Sequence, residues 1–238
     1  MPTGTIRITV TTKRTKRNRL FVFSRICLSI SAIAGLILGV YFAAISWRLQ
    51  RLETQLEALV ESVAASPADW RDLAAESAAL TRWAQLDANA FSFAGRVYLF
   101  GGARMAETPR EQIAATREAK RFLLRELRLR PQTASTWLNL SRAEYMLAPL
   151  GSAWREALLR AVSLNLRGKT VQLDLLEFRK IIERRTDLAL QQRLDVELKQ
   201  SLRDFPQETI VKASQLARRE WVCDMPDLDP QLAELCSK

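Results

Sequence analysis

The side chains that could carry chemistry in this chain are carboxylates and thiols, because the sequence contains no histidine. Without imidazole, the commonest general base at neutral pH and the commonest metal ligand are both missing. Ser-His-Asp and Cys-His catalysis are therefore excluded. A carboxylate pair that cleaves glycans is not removed by counting, since 26 acids are present. Glu144 and Glu156 are the least conventional of them, each having apolar neighbours in sequence. Such residues usually line a solvated helix face or pair with an Arg one turn away, as Glu126 could with Arg130 and Glu183 with Arg179. Gly168-Lys169-Thr170 ends like a phosphate loop, but Ser163 stands where such a loop requires its upstream glycine. No catalytic residue, cofactor or metal is expected, and the chain reads as a binding protein rather than an enzyme.

The cysteines divide in the same way. Cys27 falls inside an apolar run, whereas Cys223 and Cys236 flank Pro226 and Pro230. In an oxidising compartment a bond between the latter two would close a short loop and add about 3 kcal/mol by restricting the unfolded chain. A bridge and two free thiols both remain open. Two cysteines without histidine do not make a metal site.

The element that sets the compartment of these groups is the stretch Ile26 to Trp47, 22 residues without a formal charge. As a helix rising about 1.5 Å per residue it reaches about 33 Å, enough to cross a hydrocarbon core of about 30 Å. Tyr41 and Trp47 lie toward its end, where aromatic rings suit lipid headgroups. Ala44 and Ser46 offer a passable signal-peptidase site, but the run is longer than a signal peptide uses. Arg7, Lys13, Arg14, Lys16, Arg17, Arg19 and Arg25 precede it, and the first acid of the chain is Glu53. The positive-inside rule then expects a cytoplasmic N-terminus and a C-terminal domain in the periplasm of a bacterial inner membrane.

Charge reads differently after that division. The chain has 36 Lys+Arg against 26 Asp+Glu, a net +10 that alone would suggest nucleic acid. Seven of the cations precede the span with no acid beside them, so the rest carries 29 against 26. The excess sets topology, with contact to anionic lipid as a secondary effect. No nucleic-acid partner is expected.

Four regions follow. Residues 1–25 form a basic cytoplasmic tail, expected to be disordered over 1–19 because its composition buries too little apolar surface. Residues 26–47 form the membrane helix, in which Ser31, Gly35, Gly39 and Ala43 recur every fourth position and put small side chains on one face, a packing surface for another membrane helix. Residues 48–66 continue it as an amphipathic helix with Leu49, Leu52, Leu56, Leu59 and Val63 on one seam. That seam suits either a homodimer stalk or packing on the chain's own domain. Residues 67–238 read as a helix over 68–86 with Pro67 suited to its first turn, a second capped by Asp87 or Asn89 and running to about Phe100, where Gly101 and Gly102 stop it, and others over 109–129, 133–147, 152–165, 170–184, 186–203 and 208–221. No segment alternates as a strand does, so the fold class expected is all-α.

Within that domain the small and large residues recur. Phe91, Ala94, Gly95 and Tyr98 are followed by Trp137, Leu140 and Ser141 at the same first spacings, with Tyr145 displaced by one. Ala119, Leu123 and Pro131, then Ala157 and Ala161, fall where second helices would carry them, and Glu126 stands where an Ala is usual. Over roughly residues 85 to 166 this resembles a tetratricopeptide array, which implies antiparallel helix pairs with a concave groove. The groove would be lined in the second pair by Ser135, Leu138, Asn139, Arg142, Tyr145 and Met146. Asn139, Arg142 and Tyr145 combine donors with an aromatic face suited to a peptide or a sugar chain. Trp137, Leu140 and Ala157 would pack inside, as would Trp70, Trp83, Trp154 and Trp221.

At a coarser level, residues 127–148, 156–166 and 205–223 are similar to membrane-anchored, tetratricopeptide-like accessory proteins of exopolysaccharide (Vps-type) biosynthesis. The resemblance implies a non-catalytic scaffold that binds other inner-membrane or periplasmic proteins of such a complex. An envelope enzyme acting on glycan through paired carboxylates, and a scaffold of another envelope machine such as cytochrome maturation or division, are the alternatives.

Overall fold

The computed structural model describes residues 12–62, 65–164, 173–176, 178–179, 188–216, 222–223 and 236, with residues 12–27 as backbone alone. All the regular structure among them is helical. The chain divides into two units, Met1–Leu52 and Glu53–Lys238.

The first unit is built on α1, Thr12–Glu61, a single helix of 50 residues whose last turns belong to the second unit. It has no proline to interrupt it, and from Leu28 to Phe42 its aliphatic residues point outward on every side. Leu28 and Leu36 are each 70% exposed, and Ile33, Ile37 and Val40 are similarly open. One N-terminal helix is thus long and apolar enough to cross a membrane. A Cβ added at Gly35 or Gly39 would meet nothing within 4 Å, so the small-residue face is uncovered in the isolated chain. From Thr12 the basic tail is helical rather than disordered, while residues 1–11 lie outside the described set. Lys and Arg are good helix formers, and extending an already nucleated helix costs little.

The second unit begins with the end of α1, tied down by Arg96 donating to Glu53 at 2.9 Å and Arg104 donating to the Leu59 carbonyl at 3.4 Å. Val63 lies outside the described residues. Helix α2, Pro67–Trp83, starts where Ser66 and Asp69 exchange bonds in a capping box with Pro67 in the first turn. It ends at Trp83, three residues before the expected end, and Trp83 is 71% exposed rather than in the core. Helix α3, Ala88–Met105, is capped by Asp87, which accepts from Asn89 N at 2.9 Å.

The glycine pair does not stop α3. The helix runs through Gly101 and Gly102 to Met105 because these positions are packing surfaces. A Cβ at 101 would lie 2.9 Å from Trp70 Cζ3 and nearer still to Cε3, and a Cβ at 102 would lie 3.3 Å from Ala115 Cβ. Helix α4, Pro109–Leu129, opens with a second capping box, Thr108 with Glu111. Its Leu123 reaches Gly95, where a Cβ would sit 2.8 Å from Leu123 Cδ2. The large–small alternation noted in the sequence is here a close α3–α4 crossing.

Helices α5, Ala134–Leu147, and α6, Ala153–Ser163, are locked by Ser141, whose hydroxyl donates to the Trp154 carbonyl at 2.7 Å. Leu140 and Ala157 are buried there, while Trp137 is half-buried and donates its indole N–H to the Pro131 carbonyl. Of the helix expected over 170–184, residues 173–176 and 178–179 are described and helical. Helices α7, Leu188–Asp204, and α8, Pro206–Gln215, follow, with Pro206 at the first turn of α8. Trp221 lies outside the described residues. A disulfide joins Cys223 to Cys236 with Cα atoms 5.7 Å apart.

Each of α2 to α6 packs on its neighbours in chain order, and α7 packs on α8. The largest core cluster gathers Leu138, Trp154, Leu158, Leu175, Phe178 and Leu194 with their neighbours; a second centres on Leu123, Leu140 and Ala157.

Candidate functional site

Asn139, Arg142 and Tyr145 are brought together on α5, as their spacing expects, and the chain's own later residues occupy that face. Arg142 donates to Asn139 Oδ1 at 3.3 Å and pairs with both carboxylate oxygens of Asp174 at 3.0–3.1 Å. Its guanidinium lies 5.7 Å from the Phe100 ring centre and 5.8 Å from that of Phe178. A planar cation that meets two rings and a carboxylate is held in place by all three. Tyr145 meets Trp154 edge to face at 5.7 Å. Leu138, from the same expected groove, is buried, whereas Ser135 and Met146 are exposed.

The carboxylates singled out in the sequence are distributed rather than paired. Glu144 accepts from Lys120 at 2.7 Å, Glu156 takes the Ser152 hydroxyl at 3.2 Å, and Arg179 binds Asp195 at 2.6 Å. Glu183 lies outside the described residues. Glu126 has the Arg130 neighbour its spacing expects, but away from solvent. It is 1% exposed, with Arg130 at 3.7 Å, and neither its Oε2 nor the Thr136 hydroxyl completes a hydrogen bond.

Burial drives the Glu126 carboxyl above its ordinary range, while Thr136, Ser92, Arg130 and Arg96 pull the other way. The folded state therefore holds this proton more tightly than the unfolded chain, and the carboxyl works against folding once pH rises above that ordinary range. Glu126→Gln should raise stability near pH 7 by on the order of 1 kcal/mol and bring little gain near pH 4. Thermal melts of native chain and variant at both pH values check this, and an equal shift at both would exclude the buried charge as its source.

A more open site lies between α2, α3 and α4, where a cleft of about 390 Å³ is bordered by Arg82, Arg121, Arg125 and Arg128. Arg121, Arg125 and Arg128 share one face of α4 because they are four and three residues apart. Arg82 arrives from the last turn of α2. Phe91 and Phe122, both largely buried, also border it, with Leu124, Thr81 and Gln85 beside them. Arg121 sits 5.0 Å above the Phe122 ring and pairs with Glu118 at 2.6 Å; Arg125 sits 5.9 Å from the Phe91 ring. Among the described residues Arg82, Arg125 and Arg128 make no ion pair, and the cleft has no acidic residue in its lining.

The chain matches no protein-family model and no curated protein. Several guanidinium groups facing one space favour a ligand with more than one anionic oxygen. The arginine spacing on α4 was visible in the sequence. Arg82 was not connectable to it, since 39 positions separate Arg82 from Arg121 and only the packing of α2 and α4 against α3 joins them.

Proposed function

We propose that this protein is a membrane-anchored, non-catalytic scaffold of bacterial envelope assembly, acting in exopolysaccharide production or export. In this reading residues 26–47 cross the inner membrane, the basic tail stays in the cytoplasm, residues 48–66 continue the helix outside it, and residues 67–238 form a periplasmic helical domain that binds partner proteins. The observation that carries it is the outward-facing aliphatic surface from Leu28 to Phe42, which water would disfavour and lipid would cover. The Cys223–Cys236 bond suits an oxidising compartment. Helices that pack in chain order support the tetratricopeptide-like reading, because arrays of that kind bury their core between successive neighbours.

The test is crosslinking of the full chain in cells that make a surface polysaccharide, followed by identification of what is captured. Membrane and periplasmic proteins of the polysaccharide machinery are expected. A reporter fused after Lys238 that is active only in the cytosol, or capture of cytosolic proteins alone, would overturn the reading.

A further inference from the structure

We propose that the arginine cleft between α2, α3 and α4 is a binding site for a carboxylated saccharide. The need for an anion rests on the cleft alone; the choice of a saccharide among anions rests on the function proposed above. Arg82, Arg125 and Arg128 are exposed and carry no ion pair among the described residues, so three positive charges face one concavity. Helical proteins ordinarily neutralise such a stripe with acids one turn away, as Glu118 does for Arg121.

The rest of the lining narrows the ligand. The exposed Leu124 offers apolar surface beside the largely buried rings of Phe91 and Phe122, and Gln85 adds a neutral amide at the rim. A uronic acid unit presents a carboxylate, several hydroxyl groups and a C–H face on one rigid ring, and so uses all three kinds of surface. Inorganic phosphate would leave the apolar part unused. A run of glutamates would bring its charges on flexible arms, at an entropic cost for each one held. The volume lies in the range of small-ligand sites and takes a short segment of a longer polymer.

Titration of the full chain in a non-ionic detergent with tetragalacturonate tests the site, beside maltotetraose, tetraglutamate and inorganic phosphate. Saturable binding of tetragalacturonate is expected, weakening with salt and about tenfold in each of Arg125→Ala and Arg128→Ala. Arg128→Gln and thermal melts of all variants separate lost binding from lost folding. Absence of binding, equal binding of maltotetraose, binding of phosphate or tetraglutamate as tight as that of tetragalacturonate, or full affinity in the arginine variants overturns the proposal. Loss of saccharide binding with partner crosslinks retained would count against the cleft alone, and saccharide binding without those crosslinks would count against the scaffold reading alone.

Discussion

Trp154→Ala should lower the stability of the helical unit by about 4 kcal/mol, among the largest effects of any single truncation in this chain. The indole is 1% exposed and packs in the cluster that holds Leu138, Leu158 and Leu194, so its removal leaves a cavity that rigid helices fill poorly. Its N–H donates to the Pro149 carbonyl at 3.2 Å, and its ring stands nearly perpendicular to that of Tyr145 and has the Arg155 guanidinium 5.4 Å from its centre. The internal comparison is Trp83→Ala. That ring is 71% exposed, and its truncation should cost less than about 0.5 kcal/mol. Denaturant unfolding of detergent-solubilised full chain, followed by helical circular dichroism, measures both. Equal losses in the two variants would mean that the burial assigned to Trp154 is wrong.

Gly101→Ala should destabilise the same unit by about 2 kcal/mol, against the sign that helix propensity gives. In an open helix this exchange gains about 1 kcal/mol, because alanine loses less backbone freedom than glycine. Here the new methyl would fall within the contact radii of the Trp70 ring, 2.9 Å from Cζ3 and nearer to Cε3. Trp70 is 1% exposed and its ring is stiff, so α2 and α3 must move apart. The control is the double variant Gly101→Ala with Trp70→Leu. The smaller side chain frees the space, so the cost of the alanine measured in that background should vanish or turn into a gain. If Gly101→Ala proves stabilising in the native background, the close approach of α2 to α3 is not as described.

How much of this was legible beforehand differs from residue to residue. Helix starts were readable where local chemistry sets them, as at Pro67 and Asp87, because a cap is made by residues two or three positions away. The reading of Gly101 and Gly102 as a helix end was wrong for a reason of range. Glycine breaks helices by local entropy, but here its missing side chain is what Trp70, some thirty positions earlier, requires. Trp83 misled in the opposite direction, since residue type carries a burial average and not a location. Glu126 meets Arg130 as its spacing expects, yet α5 brings Thr136 against it and covers it, which the spacing could not show.

The sequence by itself determined the all-helical class and the one apolar segment long enough to span a bilayer, because periodicity, caps and an uncharged run act over a few turns of chain. Only the tertiary structure decided what the arginines do. Arg142 is consumed by Asp174 and two aromatic rings, whereas Arg82, Arg125 and Arg128 gather around one open cleft. Whether a cation is neutralised or left facing solvent depends on which distant elements pack beside it, and that information is not local to any stretch of the chain.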